Sequence, residues 1–210
     1  MKTYIIDLDG TLVDSMHIWE VLAIHYLQSL NKDIKPNLIE DLKTMSLTQA
    51  AIYLQKEYGI EKTIKDIQKD FIKQLWKEYE DVSLKAGVIE FLEKCYQEHQ
   101  DVIIFTANDS LLTQHLCQRL HIDQFIKHII SCQDIGYDKT DSQSYQKVIE
   151  KYHLEDCIVI EDAYHALKSA KTAKLKTWAI YDKANQKEWK QICQIANQYF
   201  MTFYEMEVIK

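Results

Sequence analysis

The stretch Thr3-Tyr4-Ile5-Ile6-Asp7-Leu8-Asp9-Gly10-Thr11-Leu12-Val13-Asp14-Ser15 decides the fold of this chain. It begins as a short unbroken apolar run over 3–8 and ends in acids and Gly10, the pattern of a buried strand whose carboxyl end opens into a turn. Side chains alternate along a strand, so Asp7 and Asp9 leave the same face. Two carboxylates converging on the ligand edge of a sheet must be neutralised, protonated or metal-bound. Two acids that simply end a strand in solvent are the plain alternative.

Three similar runs follow, Val102-Ile103-Ile104-Phe105, Cys157-Ile158-Val159-Ile160 and Thr177-Trp178-Ala179-Ile180, with a weaker one at His128-Ile129-Ile130-Ser131. They show no polar alternation, as expected of parallel strands covered on both faces. Helical spacing fills 85–99, 109–120, 141–153 and 163–174. Strand and helix therefore alternate, which predicts a doubly wound, Rossmann-like, mainly parallel α/β sheet with its ligand site at the carboxyl ends of the strands.

Residues 15–82 break the alternation, with no convincing strand and three helix signals. One helix is expected over 16–29. Ser46 and Gln49 form a capping box for a second, which runs to Tyr58 and is closed by Gly59, and Thr63 with Asp66 starts a third. The expected organisation is an α/β core of 1–14 and 83–210, with a helical cap of 15–82 whose junctions near Asp14-Ser15 and Leu84-Lys85 act as hinges. The tail reads as a helix from Lys187 through Asn197 and an edge strand at Tyr199-Phe200-Met201.

Composition excludes several classes. With 210 residues, 47% hydrophobic and 27% charged, the chain buries a sizeable core without disulfide or metal staples. A net charge of −7 and a single arginine, Arg119, leave no basic footprint for nucleic acid. No run approaches 18 apolar residues, and the N-terminal one is too short for a signal peptide, so a soluble, cytoplasmic protein with no membrane partner is expected. Five widely spaced cysteines contain no C-x-x-C and support neither a disulfide framework nor a zinc ribbon. The oligomeric state is left open.

Further chemistry-bearing residues sit at strand or loop ends. Thr106-Ala107-Asn108 offers a hydroxyl and turn amides as an anion cradle, or else an ordinary cap for the next helix. Lys139 precedes a helix and by itself reads as solvated. Glu161-Asp162 closes a strand, or caps the helix after it. Each plain reading holds alone, yet none explains two acids, a hydroxyl, a lysine and two more acids arriving in that order at successive ends of one sheet.

These residues, from Asp7-Leu8-Asp9-Gly10-Thr11 through Thr106 and Lys139 to Glu161-Asp162, resemble the four motifs of the haloacid dehalogenase-like phosphohydrolases. The resemblance spans residues 3–181 and is closest to the β-phosphoglucomutase-like branch, which carries a helical cap after the first motif. It implies a phosphatase acting on a small phosphate ester, a sugar or polyol phosphate, with Asp7 as nucleophile forming an aspartyl-phosphate and Asp9 as general acid and base. It also implies Mg²⁺ held by Asp7, the Asp9 carbonyl and Asp162, with Glu161 as an outer partner or alternative ligand. Thr106, Ala107, Asn108 and Lys139 would hold the phosphoryl oxygens.

In β-phosphoglucomutase a histidine occupies the cap position where this chain has Trp19, with His17 two residues early. That weighs against a sugar-phosphate mutase and makes Trp19 a candidate apolar wall over the substrate, or a packing residue of the cap. A dehalogenase has no use for Asp9, and a non-enzymatic phospho-accepting receiver lacks the helical insert.

Overall fold

The computed structural model describes every residue except Met1, Thr44 and Lys210. The two extreme ends of the expected core, Met1 and Lys210, thus lie outside the described residues. The chain divides into two compact units, Met1–Asp14 with Ser83–Lys210, and Ser15–Val82.

Strand β1 (Thr3–Ile6) precedes the insert, whose helices are α1 (Met16–Ser29), α2 (Leu38–Leu42), α3 (Leu47–Tyr58) and α4 (Ile64–Glu78). The core resumes with α5 (Val88–Gln97), β2 (Asp101–Thr106), α6 (Ser110–Arg119), β3 (His128–Ser131), α7 (Cys132–Ile135) and α8 (Ser144–Tyr152). It ends with β4 (Cys157–Glu161), α9 (Tyr164–Thr172), β5 (Lys176–Ile180), α10 (Trp189–Ile195) and β6 (Gln198–Phe200).

The six strands form one sheet in the order β3-β2-β1-β4-β5-β6, every neighbouring pair parallel. Ile5 of β1 lies beside Ile103 of β2 and Val159 of β4, and all three are buried, as the unbroken apolar runs require. From β1 the chain builds outward to β2 and β3, then crosses back to β4 and continues to β6. The order therefore reverses at β1, and the crevice beyond the carboxyl ends of β1, β2 and β4 is the binding position of such a sheet.

Where the chain leaves and rejoins this unit, the two connections run side by side. Asp14 N–H donates to Ser83 C=O at 3.0 Å and Lys85 N–H to Leu12 C=O at 2.9 Å.

Within the insert, α3 carries its capping box: Ser46 accepts from Gln49 N–H, and the Gln49 side chain accepts from Ser46 N–H. Thr63 caps α4 by accepting from Asp66 N–H. Tyr26 of α1 meets Phe71 of α4 edge-on at 5.0 Å, so these two helices share an aromatic seam. A fourth helix, α2, was not legible in the sequence, because its five residues bury only Leu38 and carry no periodicity.

The tail also differs from expectation. Helix α10 spans Trp189–Ile195, ending two residues early, because Asn197 turns to β5: its N–H donates to Thr177 C=O and its Oδ1 accepts from Thr177 N–H. Of the tail aromatics, Tyr199 is exposed, while Phe200 packs on Trp178 at 5.5 Å and Phe203 is buried against Phe91 at 5.4 Å.

Candidate active site

Beyond β1 the ladder continues for one residue, with Asp7 N–H donating to Ile160 C=O at 3.0 Å. The carbonyl of Leu8 then accepts from Thr11, Leu12 and Val13 in succession, a tight turn that Gly10 permits at φ +81°. Asp7 is fixed by this backbone at the sheet edge, level with Glu161 at the end of β4.

Asp7, Glu161 and Asp162 form a buried cluster, each offering an oxygen within 4.8 Å of the others, that could hold a metal ion. Lys139 enters it from the loop between α7 and α8. Its ammonium donates to Asp7 Oδ1 and, at 2.5 Å, to Glu161 Oε1, and lies 5.2 Å from the centre of the Phe105 ring. At 6% exposure it is not the solvated lysine of the plain reading. Tyr145 Oη adds a third donor, to Glu161 Oε1 at 3.0 Å.

The charges do not balance. Three carboxylates against one ammonium leave an excess of two negative charges in a buried site. Burial pushes the Glu161 carboxyl up to about 7, and Asp7 adds to the rise against the pull of Lys139 and Tyr145. Asp162 is lifted well above the ordinary carboxyl range by burial, then by Asp7, Glu161 and Asp182, with Lys85 opposing. Burial alone would lower the Lys139 ammonium, but Asp7 and Glu161 outweigh it and hold the proton on. One lysine shared between two acids cannot keep both in their ordinary range.

Thr106, Ala107 and Asn108 follow β2 directly. Asn108 N–H donates to Thr106 Oγ1 at 3.0 Å, and the Asn108 amide donates to Asp9 Oδ2 at 3.3 Å, so this loop meets the β1 turn. The capping readings separate here. Asp109 caps α6, accepting from Leu111 and Leu112 N–H, which leaves the three preceding residues outside that role. Helix α9 begins after Ala163, with no side-chain cap, so Glu161 and Asp162 are not caps either.

The sequence-predicted residues thus fall into two groups: Asp7, Lys139, Glu161 and Asp162 in the buried cluster, and Asp9, Thr106 and Asn108 joined by hydrogen bonds where the loop after β2 meets the β1 turn. Trp19 lies in the insert, half-buried, its indole N–H donating to Tyr79 Oη at 2.9 Å beyond the end of α4.

Five partners were not read from the sequence: Thr11, Lys85, Tyr145, Asp182 and Asn185. Thr11 Oγ1 donates to Asp162 Oδ1 at 3.2 Å, and Asn185 Nδ2 to Asp162 Oδ2 at 2.7 Å. Asp182 and Asn185 follow β5, whose carboxyl end was open to the same inspection as the other strands. Lys85 sits in a junction read only as a hinge.

With this geometry in view, comparison with known proteins gives the family. The model of the haloacid dehalogenase-like hydrolases matches residues 4–180, and the chain belongs to that family. Among solved structures, CbbY from Rhodobacter sphaeroides, a point variant in complex with xylulose-1,5-bisphosphate, superposes with a TM-score of 0.83 at 15% identity, covering 97% of this chain and 95% of that one. A candidate phosphoglycolate phosphatase from Lactobacillus plantarum gives 0.73 at 17% identity, covering 97% and 96%. A candidate β-phosphoglucomutase from Thermotoga maritima gives 0.70 at 18% identity, covering 95% and 94%. At these identities the likeness is one of fold. No curated protein sequence matches significantly. Among the described residues no helix is long and apolar enough to cross a membrane.

Proposed function

We propose that this chain is a Mg²⁺-dependent phosphatase that hydrolyses a small sugar or polyol phosphate through an aspartyl-phosphate on Asp7, with residues 15–82 as its cap. The observation that carries the reading is the buried cluster of Asp7, Glu161 and Asp162, whose donors are all oxygen and which, with all three acids ionised against Lys139, carries two excess negative charges that match one divalent cation. Asp7, Asp162 and the Asp9 carbonyl would hold that ion, with Glu161 engaged chiefly by Lys139 and Tyr145. Bound there, Mg²⁺ supplies the charge neutralisation that lets an anionic nucleophile approach an anionic phosphate.

The chain's own residues then divide the work. A carboxylate oxygen of Asp7 attacks phosphorus as the ester P–O bond breaks, and the departing alkoxide takes a proton from Asp9. In the second half Asp9, now ionised, accepts a proton from water as the water oxygen attacks phosphorus, which frees inorganic phosphate and restores Asp7. The bond from Asn108 supports an Asp9 aimed over the phosphate loop. The Lys139 ammonium and the amides and hydroxyl of Thr106, Ala107 and Asn108 hold the phosphoryl oxygens in both steps, where positioning and electrostatics do most of the work.

Arg119, the one guanidinium of the sequence, is the last residue of α6. It lies about 14 Å along that helix from the phosphate-loop end, at 1.5 Å per residue. This supports a substrate with one phosphate rather than a bisphosphate gripped at both ends.

The test is release of inorganic phosphate from sugar, polyol, nucleoside and glycolytic phosphates, with Mg²⁺ and with EDTA. Metal-dependent release confined to the sugar or polyol group, and abolished in Asp7→Asn, is the expected result. Undiminished turnover in pure Asp7→Asn protein would overturn the mechanism.

A further inference from the structure

The end of β5 carries a hydrogen-bonded brace that ends on Asp162. Lys85 Nζ donates to Gly10 C=O at 2.6 Å, Tyr181 C=O at 2.7 Å and Asp182 Oδ2 at 2.9 Å, which uses all three of its donors. The other oxygen of Asp182 accepts from Ala184 N–H at 2.9 Å and so caps the single 3₁₀ turn Lys183–Asn185. That turn presents Asn185, which is 4% exposed. Its amide nitrogen donates to Asp162 Oδ2 at 2.7 Å and to the Asp162 carbonyl at 3.3 Å.

We propose that Asn185, held by the Asp182–Lys85 pair, is the positioning residue that fixes the Asp162 carboxylate for a divalent cation. The proposal rests on the metal reading above and adds to it the residues that make the site rigid. Asp162 shares a pocket with two like charges, Asp7 and Glu161, whose oxygens lie within 4.8 Å. In the ionised form that a cation needs, repulsion drives its carboxylate to rotate away from them. Donors from two separate loops oppose this rotation: Thr11 on Oδ1 from the β1 turn and Asn185 on Oδ2 from the β5 turn.

Thr11 alone would leave one oxygen free to swing. Lys85 makes the brace a closed figure, because it joins the carbonyl of Gly10 in the β1 turn to the residues that carry Asn185. Loss of a group that orients a ligand in this way typically costs about 10- to 100-fold in metal affinity.

The experiment is calorimetric titration of the full chain with Mg²⁺ alone and with Mn²⁺ alone, without substrate, on wild type, Asp162→Asn, Asn185→Leu, Lys85→Met and Lys85→Arg. Circular dichroism of each variant reports its fold. Asn185→Leu keeps the volume and removes the donor, and the dissociation constant is expected to rise by about 10- to 100-fold with the fold intact. Lys85→Met should weaken binding in the same direction, and Lys85→Arg, which keeps the donors, should recover most of it.

Metal binding by Asn185→Leu as tight as wild type, with Asp162→Asn deficient, overturns this proposal and leaves the phosphatase reading standing. A wild type that takes up neither ion, or an Asp162→Asn protein that binds as wild type does, overturns the metal reading and the brace with it. Should Lys85→Met fail to fold, Asn185→Leu and Lys85→Arg decide the matter.

Discussion

Replacing Lys139 by Met tests the electrostatics of the cluster before any substrate is known. The side chain keeps its length and loses its charge, so Asp7, Glu161 and Asp162 are left with three negative charges within 4.8 Å and no ammonium among them. At an effective dielectric of about 20, two unit charges at that distance repel by about 3 kcal/mol. Removal of one partner from a buried ion pair costs about 3–5 kcal/mol, the same size by a separate route. Against a total stability of about 5–15 kcal/mol this is a large fraction.

The assay is urea unfolding in EDTA, with hydrogen exchange at β1 and β4 to follow the core. Protonation offers the variant an escape. The folded-state value of Glu161, about 7, already lies above its ordinary 4.5, so its contribution to stability is full below about 4.5 and lost as pH rises through about 7. The deficit of Lys139→Met is therefore larger at pH 8 than at pH 5. Adding Glu161→Gln removes one of the repelling charges, and the double variant should lose less than the sum of the single losses. A loss below about 1 kcal/mol at pH 8 in EDTA would refute the reasoning, since a buried, uncompensated cluster cannot be so indifferent to its one cation.

Tyr145→Phe keeps the ring that meets Phe105 edge-on at 5.2 Å and removes only the donor to Glu161. The expected loss is about 1.5–3 kcal/mol by urea unfolding, because that bond ends on a charged group. Gly87→Ala builds a methyl 2.4 Å from the Tyr204 nitrogen at φ +85°, so the segment carrying Phe203 must shift. A loss of more than about 1–2 kcal/mol, above the left-handed penalty alone, is expected in thermal unfolding. Burial pushes the thiols of Cys95, Cys117 and Cys132 up to about 12 and that of Cys157 to about 11. At pH 8 they should resist an aromatic disulfide reagent until the protein unfolds, while the half-buried Cys193 reacts first.

The strands of the core were legible because a parallel sheet covered on both faces needs unbroken apolar runs, and each such run in the sequence is a strand in the structure. The weak run at 128–131 is β3 at the sheet edge, where His128 and Ile129 are only half-buried. Legibility failed where structure rests on few residues. Helix α2 buries one leucine, and α7 is a single turn opened by its own Ser131–Asp134 capping box. Gly10 and Gly59 mark turning points in the sequence, yet His99, His121 and His153 take positive φ near the ends of α5, α6 and α8, where glycine is usual.

The sequence by itself determined the doubly wound sheet, the helical insert and the acids, hydroxyl and lysine that come to one edge, because hydrophobic periodicity and residue order are local properties that survive in one dimension. Only the tertiary structure decided how those groups act on one another. Lys139 is shared between Asp7 and Glu161, and Asp9 is bonded to Asn108. Asp162 is pinned by Thr11 and by Asn185, whose supporting Lys85 lies at the far side of the insert in sequence. Charge balance and orientation depend on distances between residues far apart in sequence, 151 positions in the Thr11–Asp162 bond, and those distances exist only once the sheet has closed around β1.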